Sequence, residues 1–170
     1  PQVPLVRTVL DGVYSDEQAT RGQAFYTASC GDCHGDALEG VSAPELIGDR
    51  FIERWREAML DPLYGFIRAN MPRRRDANSD RISDNNYLDI LTYILKVNDY
   101  RAGTTALTHD LLGSVMLVGK DGPQPVPDGS LVRTVGCLSQ TSNGRWFLLQ
   151  ATEPVRSPLS TTSTFAELNA

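Results

Sequence analysis

The chain is poor in the residues that usually bind metals or cross-link folds: of 170 residues, three are cysteine, two histidine and three methionine. Three cysteines leave one over however they pair, which excludes a disulfide framework. Basic residues are also scarce, with 16 Lys and Arg against 21 Asp and Glu and a formal net charge of -5. That balance excludes the ordinary nucleic-acid binder, which carries a clear basic excess. Long apolar runs are missing too. None approaches the ~20 residues of a membrane helix, so no transmembrane segment is expected. What remains is ordinary for a globular protein, 41% hydrophobic and 22% charged, enough for a packed core. The first residue is Pro1 rather than Met, as in a secreted chain whose signal peptide has been removed. The expected location is therefore outside the cytoplasm.

Against that scarcity, "ASCGDCHGD" at 28–36 gathers Cys30, Cys33 and His34 within five positions. The pattern around it is helical. "SDEQATRGQAFYTASC" offers Ser15 or Asp16 as a cap and acidic residues in its first turn. Gly22, Tyr26 and Cys30 recur at four-residue steps on one face. A second helix is expected from Asp49, with Ile52, Trp55 and Met59 on one stripe, and a third after Asp61 with Pro62 in its first turn. "SDNNYLDILTYILKVN" is the clearest helix, with Ser83 as cap and Tyr87, Ile90, Leu91 and Ile94 in register. Beyond "DYRAGTT" the period changes to short β-rich runs, "SVMLVG", "SLVRTVGCL" and "RWFLLQAT", with Asn143-Gly144 as a hairpin signal. The expected organisation is an extended arm at 1–12, a helical domain at 13–103, a small β module at 104–156 and a Ser/Thr-rich tail at 157–170.

Three chemistries use a Cys-x-x-Cys-His cluster. A redox dithiol sits after a strand at a helix start, where the dipole lowers a thiol pKa, whereas this pair ends a helical pattern. A zinc site needs four ligands, and only His109 and Cys137 remain, each alone. Covalent haem attachment uses every residue of the cluster. Thiols at i and i+3 meet the two vinyl groups, and His34 follows on the same turn to bind the iron. The reading is one haem c, attached through Cys30 and Cys33. The iron's other side can take Met, a second His, or nothing. Met59 and Met116 read as core side chains. Met71, in "RANMPRRR" beyond a helix end and before a proline, reads as the sixth ligand; His109 and an open position are the alternatives.

These residues resemble the class I c-type cytochromes over residues 13–101. "GQAFYTASCGDCHG" is similar to that family's first helix and haem motif. The resemblance implies that Gly22 lets the last helix cross closely, with Ile90 and Tyr93 packed against it and against Tyr26. It implies that Pro44 of "APEL" accepts the ring N–H of His34, orienting it. It implies that Trp55 borders the haem and bonds a propionate, and that "NMP" is the axial-Met loop. The closest likeness is to bacterial cytochrome domains that accompany periplasmic, often quinoprotein, dehydrogenases.

The fold class expected is mainly α, a helical cytochrome fold around one haem with a small β-rich appendage. The function expected is single-electron transfer, not catalysis, between a periplasmic dehydrogenase and a downstream cytochrome or oxidase. A fixed subunit of a respiratory, dehydrogenase or polymeric assembly, or a haem-based sensor, is the alternative. Self-assembly or complex formation would run through 104–170. Cys137 reads as a small buried hydrophobe, and Arg73, Arg74 and Arg75 either as a solvated loop or as a basic docking patch.

Overall fold

The computed structural model describes residues 7–73 and 82–159. Among them are five α-helices and seven short strands, divided into two compact units, 1–124 and 125–170.

The first unit is built on two long helices. Helix α1 (Asp16–Ser29) starts where the Ser15 hydroxyl accepts the amide of Gln18; α5 (Asp84–Val97) starts with a capping box between Ser83 and Asn86. They cross at Gly22. A Cβ added there would stand 1.9 Å from the carbonyl oxygen of Asp89 and 3.0 Å from the amide of Ile90. One turn on, the Tyr26 and Tyr93 rings meet at 5.3 Å and 55°. Arg21 adds a two-pronged bond to Asp89, at 2.9 and 3.2 Å. Gly22→Ala should therefore force the helices apart. Overpacking against backbone costs about 3 kcal/mol, and a thermal melt should fall on the order of 10 °C.

Between these helices lie α2 (Gly31–His34), α3 (Asp49–Trp55) and α4 (Leu60–Asn70). The stripe expected to carry Met59 on the second helix ends earlier. Arg56 turns extended and Glu57 takes φ 62°, so Ala58–Met59 form a strand, β2. Asp49 and Asp61 stand inside the first turns of α3 and α4, the caps being Gly48 and Met59. Pro62 occupies the first turn of α4 as expected.

Strand β2 pairs antiparallel with β3 (Val115–Leu117), which also pairs parallel with β1 (Arg7–Thr8). Residues 7–12 are thus no free arm. They form a strand and a 3-10 turn closed by Gly12 at φ 64°, and Val9 is fully buried. The boundary expected near Gly103 falls inside the first unit. Tyr14 donates its hydroxyl to the Tyr100 carbonyl, and Tyr100 donates its own to Val118 at 2.6 Å. Burial pushes both phenols up to about 12. "SVMLVG" is β3, a strand of the first unit rather than of the appendage.

In the second unit β4 (Val132–Arg133) pairs with β7 (Val155–Arg156), and β5 (Cys137–Gln140) with β6 (Trp146–Leu149), both antiparallel. The β5–β6 turn carries the expected Asn143-Gly144. The Gly144 amide bonds the Thr141 carbonyl at 2.9 Å, and Gly144 alone takes positive φ, 81°. The result is a longer hairpin loop rather than a two-residue turn. Cys137, expected buried, is exposed. A two-stranded ribbon has no interior to hide it, and β6 is exposed along its whole length.

Candidate haem site

Cys30 closes α1, its amide bonding the Tyr26 carbonyl at 2.7 Å, and α2 follows directly with Cys33 and His34. The chain then folds back over the motif. The Cys33 carbonyl receives the amides of Val41, Ser42 and Ala43 at 3.0–3.1 Å, and the His34 carbonyl that of Gly40 at 2.7 Å. Gly40 sits at φ 82°, and a Cβ on it would lie 2.8 Å from both Ala43 O and Glu45 N. Only glycine fits that reversal.

This fold-back brings Pro44 to His34. The imidazole is buried, and its Nδ1 lies 2.7 Å from the Pro44 carbonyl oxygen. A carbonyl can only accept, so Nδ1 carries the hydrogen and the Nε2 lone pair is left as the ligating atom. Tyr26, buried below, donates its hydroxyl to Gly35 at 2.7 Å and so holds the motif's far end. Burial among these groups raises the Tyr26 phenol.

Both thiols of the motif are free of a disulfide, Cys30 half-buried and Cys33 exposed. Burial, and secondarily the neighbouring Cys33, pushes the Cys30 thiol up to about 11. A redox dithiol needs the opposite shift. Among the described residues no three His, Cys, Asp or Glu side chains converge to hold a metal ion. The donor set instead suits haem c: two i, i+3 thiols beside one oriented imidazole with a bare nitrogen.

Trp55 is buried and tilts against Phe66 of α4 at 5.8 Å, with the Arg54 guanidinium over both rings. Met71 ends α4 in extended backbone, as a residue before proline must. Its side chain is half-buried. Its amide bonds Ile67 at 2.9 Å and its carbonyl accepts the Tyr87 hydroxyl at 2.7 Å. Met71, His34 and Trp55 stand on three different elements, the end of α4, α2 and α3. His109 is turned elsewhere, its Nε2 3.1 Å from Asn85 Oδ1 and its ring edge-on to Tyr64. Met59 and Met116 face each other across β2 and β3, half-buried. Arg73 is exposed; Arg74 and Arg75 lie outside the described residues.

Three contributors escape a sequence reading. Tyr87 reads as an apolar stripe residue, yet its hydroxyl anchors Met71. Asn98 pins the loop before α3, donating to Leu46 at 2.9 Å and accepting from Gly48 at 3.0 Å. Phe66 supports Trp55. The only signal for Tyr87 and Asn98 is polarity at an apolar helix's two ends.

Residues 17–94 match the family described as cytochrome C oxidase, cbb3-type, subunit III. A relative, cytochrome c-551 of Bacillus subtilis, is 36% identical over 64 residues, covering 36% of this chain. The match spans about half, 54%, of that relative's length. No solved structure matches. Over residues 17–94 the chain is thus similar to haem-binding cytochromes, and both likenesses support a monohaem class I c-type cytochrome in that stretch.

Proposed function

We propose that the chain is an electron carrier of the periplasm, with one haem attached through Cys30 and Cys33 and ligated by His34 and Met71. The observation that carries this is the His34–Pro44 bond beside two free thiols at the attachment spacing. Bound there, haem supplies reversible one-electron chemistry at its iron. The protein's part is to hold still. Pro44 fixes the imidazole, Tyr26 locks the motif, Trp55 and Phe66 wall the pocket, and Tyr87 fixes the backbone of Met71. With His34 and Met71 both holding the iron, no open position would be left for a substrate, and the Met thioether would raise the potential. The partners fitting this role are a dehydrogenase as donor and a downstream cytochrome or oxidase as acceptor.

A fixed place in a larger assembly has one observation in its favour. The second unit exposes Leu131, Leu138, Trp146 and Phe147, each at least 40% accessible, more apolar surface than so small a unit normally leaves bare.

Attachment has a direct test. Denatured holoprotein should keep its colour, give a pyridine haemochrome of the two-thioether type, and titrate one free thiol, Cys137. Three titrating thiols, or colour extracted by acidified solvent, would refute covalent attachment.

A further inference from the structure

Among the described residues β6 has one neighbour, β5, and its other edge is bare. The turn fixes which groups that edge presents. The Thr141 amide bonds the Arg145 carbonyl at 2.9 Å, and the register runs on through Gln140–Trp146, Ser139–Phe147, Leu138–Leu148 and Cys137–Leu149. Bonded and non-bonded pairs alternate along an antiparallel ladder. Ser139–Phe147 and Cys137–Leu149 are therefore bonded pairs. The amides and carbonyls of Trp146 and Leu148 point outward from β6, and those of Leu138 and Gln140 point outward from β5.

Natural sheets block such edges with charge or proline. Here the strands read CLSQ and WFLL, with neither. Both faces are apolar, with Leu138, Trp146 and Leu148 on one, Phe147 and Leu149 on the other. A ribbon of two strands is marginal alone, and a further strand stabilises it.

Strand β6 is complementary to itself. Two identical antiparallel strands are related by a two-fold axis, and only an axis through a residue keeps like faces on the same side. Through Phe147, it sets Trp146 opposite Leu148 of the second copy, and Leu148 opposite Trp146. Those are the outward-pointing residues, and each such pair exchanges two main-chain bonds. Phe147 then meets its own copy as a non-bonded pair, where side chains come closest. An axis through Leu148 would instead need Gln150 in the strand, and its φ of 50° takes it out. On β5 the equivalent axis through Ser139 would set serine on serine and Leu138 on Gln140. Charge is no obstacle. The second unit holds Arg133, Arg145 and Arg156 against Asp128, Glu153 and Glu167, so two copies meet without net repulsion.

We infer that β6 is the surface through which two copies of this chain associate, as a sheet ordered β5–β6–β6–β5 with Phe147 on the two-fold axis. The inference stands apart from the electron-carrier reading, and gives the assembly alternative a partner and a register. One strand from each copy makes a small interface, for which a Kd of about 1–10 µM is expected.

Sedimentation of the full haem-loaded chain should pass from monomer to dimer between about 1 and 100 µM. Leu148→Pro removes an outward amide of β6 and none of the hairpin's own bonds, and should weaken the dimer at least about tenfold. Leu138→Pro makes the same change on the opposite edge, at the cross-strand partner of Leu148, and should dimerise like the parent chain. Register is read by cross-linking with oxidised glutathione in a Cys137→Ser background. Phe147→Cys should join two chains, whereas Leu149→Cys, which falls opposite Arg145 of the second copy, should not. A monomer at about 100 µM overturns the inference, and its capture by phosphatidylglycerol vesicles would give the apolar strand to a lipid surface instead. A dimer that survives Leu148→Pro, or is lost only in Leu138→Pro, also overturns it. If both proline variants are monomeric the cross-link decides, and no product from Phe147→Cys, or an equal yield from Leu149→Cys, overturns it.

Discussion

A chain ending at Ala102 will fail to fold its cytochrome unit, whereas one ending at Gln124 will fold and keep its haem. The shorter chain has every residue of the family match and every proposed haem contact, so sequence alone recommends the cut. The structure forbids it. Leu107, Leu112, Val115, Leu117 and Val118 are each at most 5% accessible. At about 1.5–3 kcal/mol for each buried aliphatic side chain, their loss costs roughly 8–15 kcal/mol, comparable with the whole stability of a domain. Gln18 on α1 would suffer further. It is buried, and its amide donates to the Leu107 carbonyl at 3.0 Å and accepts the Leu107 amide at 2.7 Å. Deleting its partner strands a polar group in the core, about 1–3 kcal/mol more. Circular dichroism and haem yield of the two truncations check this. Equal melting temperatures would show that β3 and the segment before it are dispensable.

Met71→Ala should abolish the far-red charge-transfer band of Met-to-iron ligation, lower the potential, and admit carbon monoxide. The reasoning separates ligation from folding. The backbone of Met71 is held by Ile67 on one side and the Tyr87 hydroxyl on the other, and neither bond involves the thioether. Truncation should leave α4 and its end in place. Met59→Ala and Met116→Ala should leave the band untouched. Both side chains are half-buried, so each should cost about 1–2 kcal/mol, below the 2–5 kcal/mol of a fully buried methionine. Persistence of the band in Met71→Ala would return the sixth position to another ligand.

Much of the site was legible because its signals are local. Cys30, Cys33 and His34 lie within one turn and announce themselves by spacing. The caps at Ser15 and Ser83 are side-chain-to-backbone bonds over three residues, and any sequence reader finds them. Gly22 and Pro44 came through resemblance, and the structure supplies their physical content: a Cβ with nowhere to go, and a carbonyl aimed at an imidazole. The readings that moved were those needing a distant neighbour. Met59 lies on a helical stripe until β3 captures the backbone beside it. Cys137 looks like a buried residue until its strand proves to have a single partner.

By itself the sequence determined the Cys-x-x-Cys-His cluster, the two long helices and their starting points, because each depends on residues at most a few positions apart. Only the tertiary structure decided where the cytochrome unit ends and what holds Met71. The first rests on pairings such as Gln18 with Leu107, Tyr14 with Tyr100, and Arg7 with Val115, about 90 to 110 residues apart, and the second on the Tyr87 hydroxyl, from a helix 16 residues further along the chain. No local pattern encodes such partners. Each hydrogen bond or strand register exists only after the core has brought both ends together and removed the water that would otherwise satisfy them.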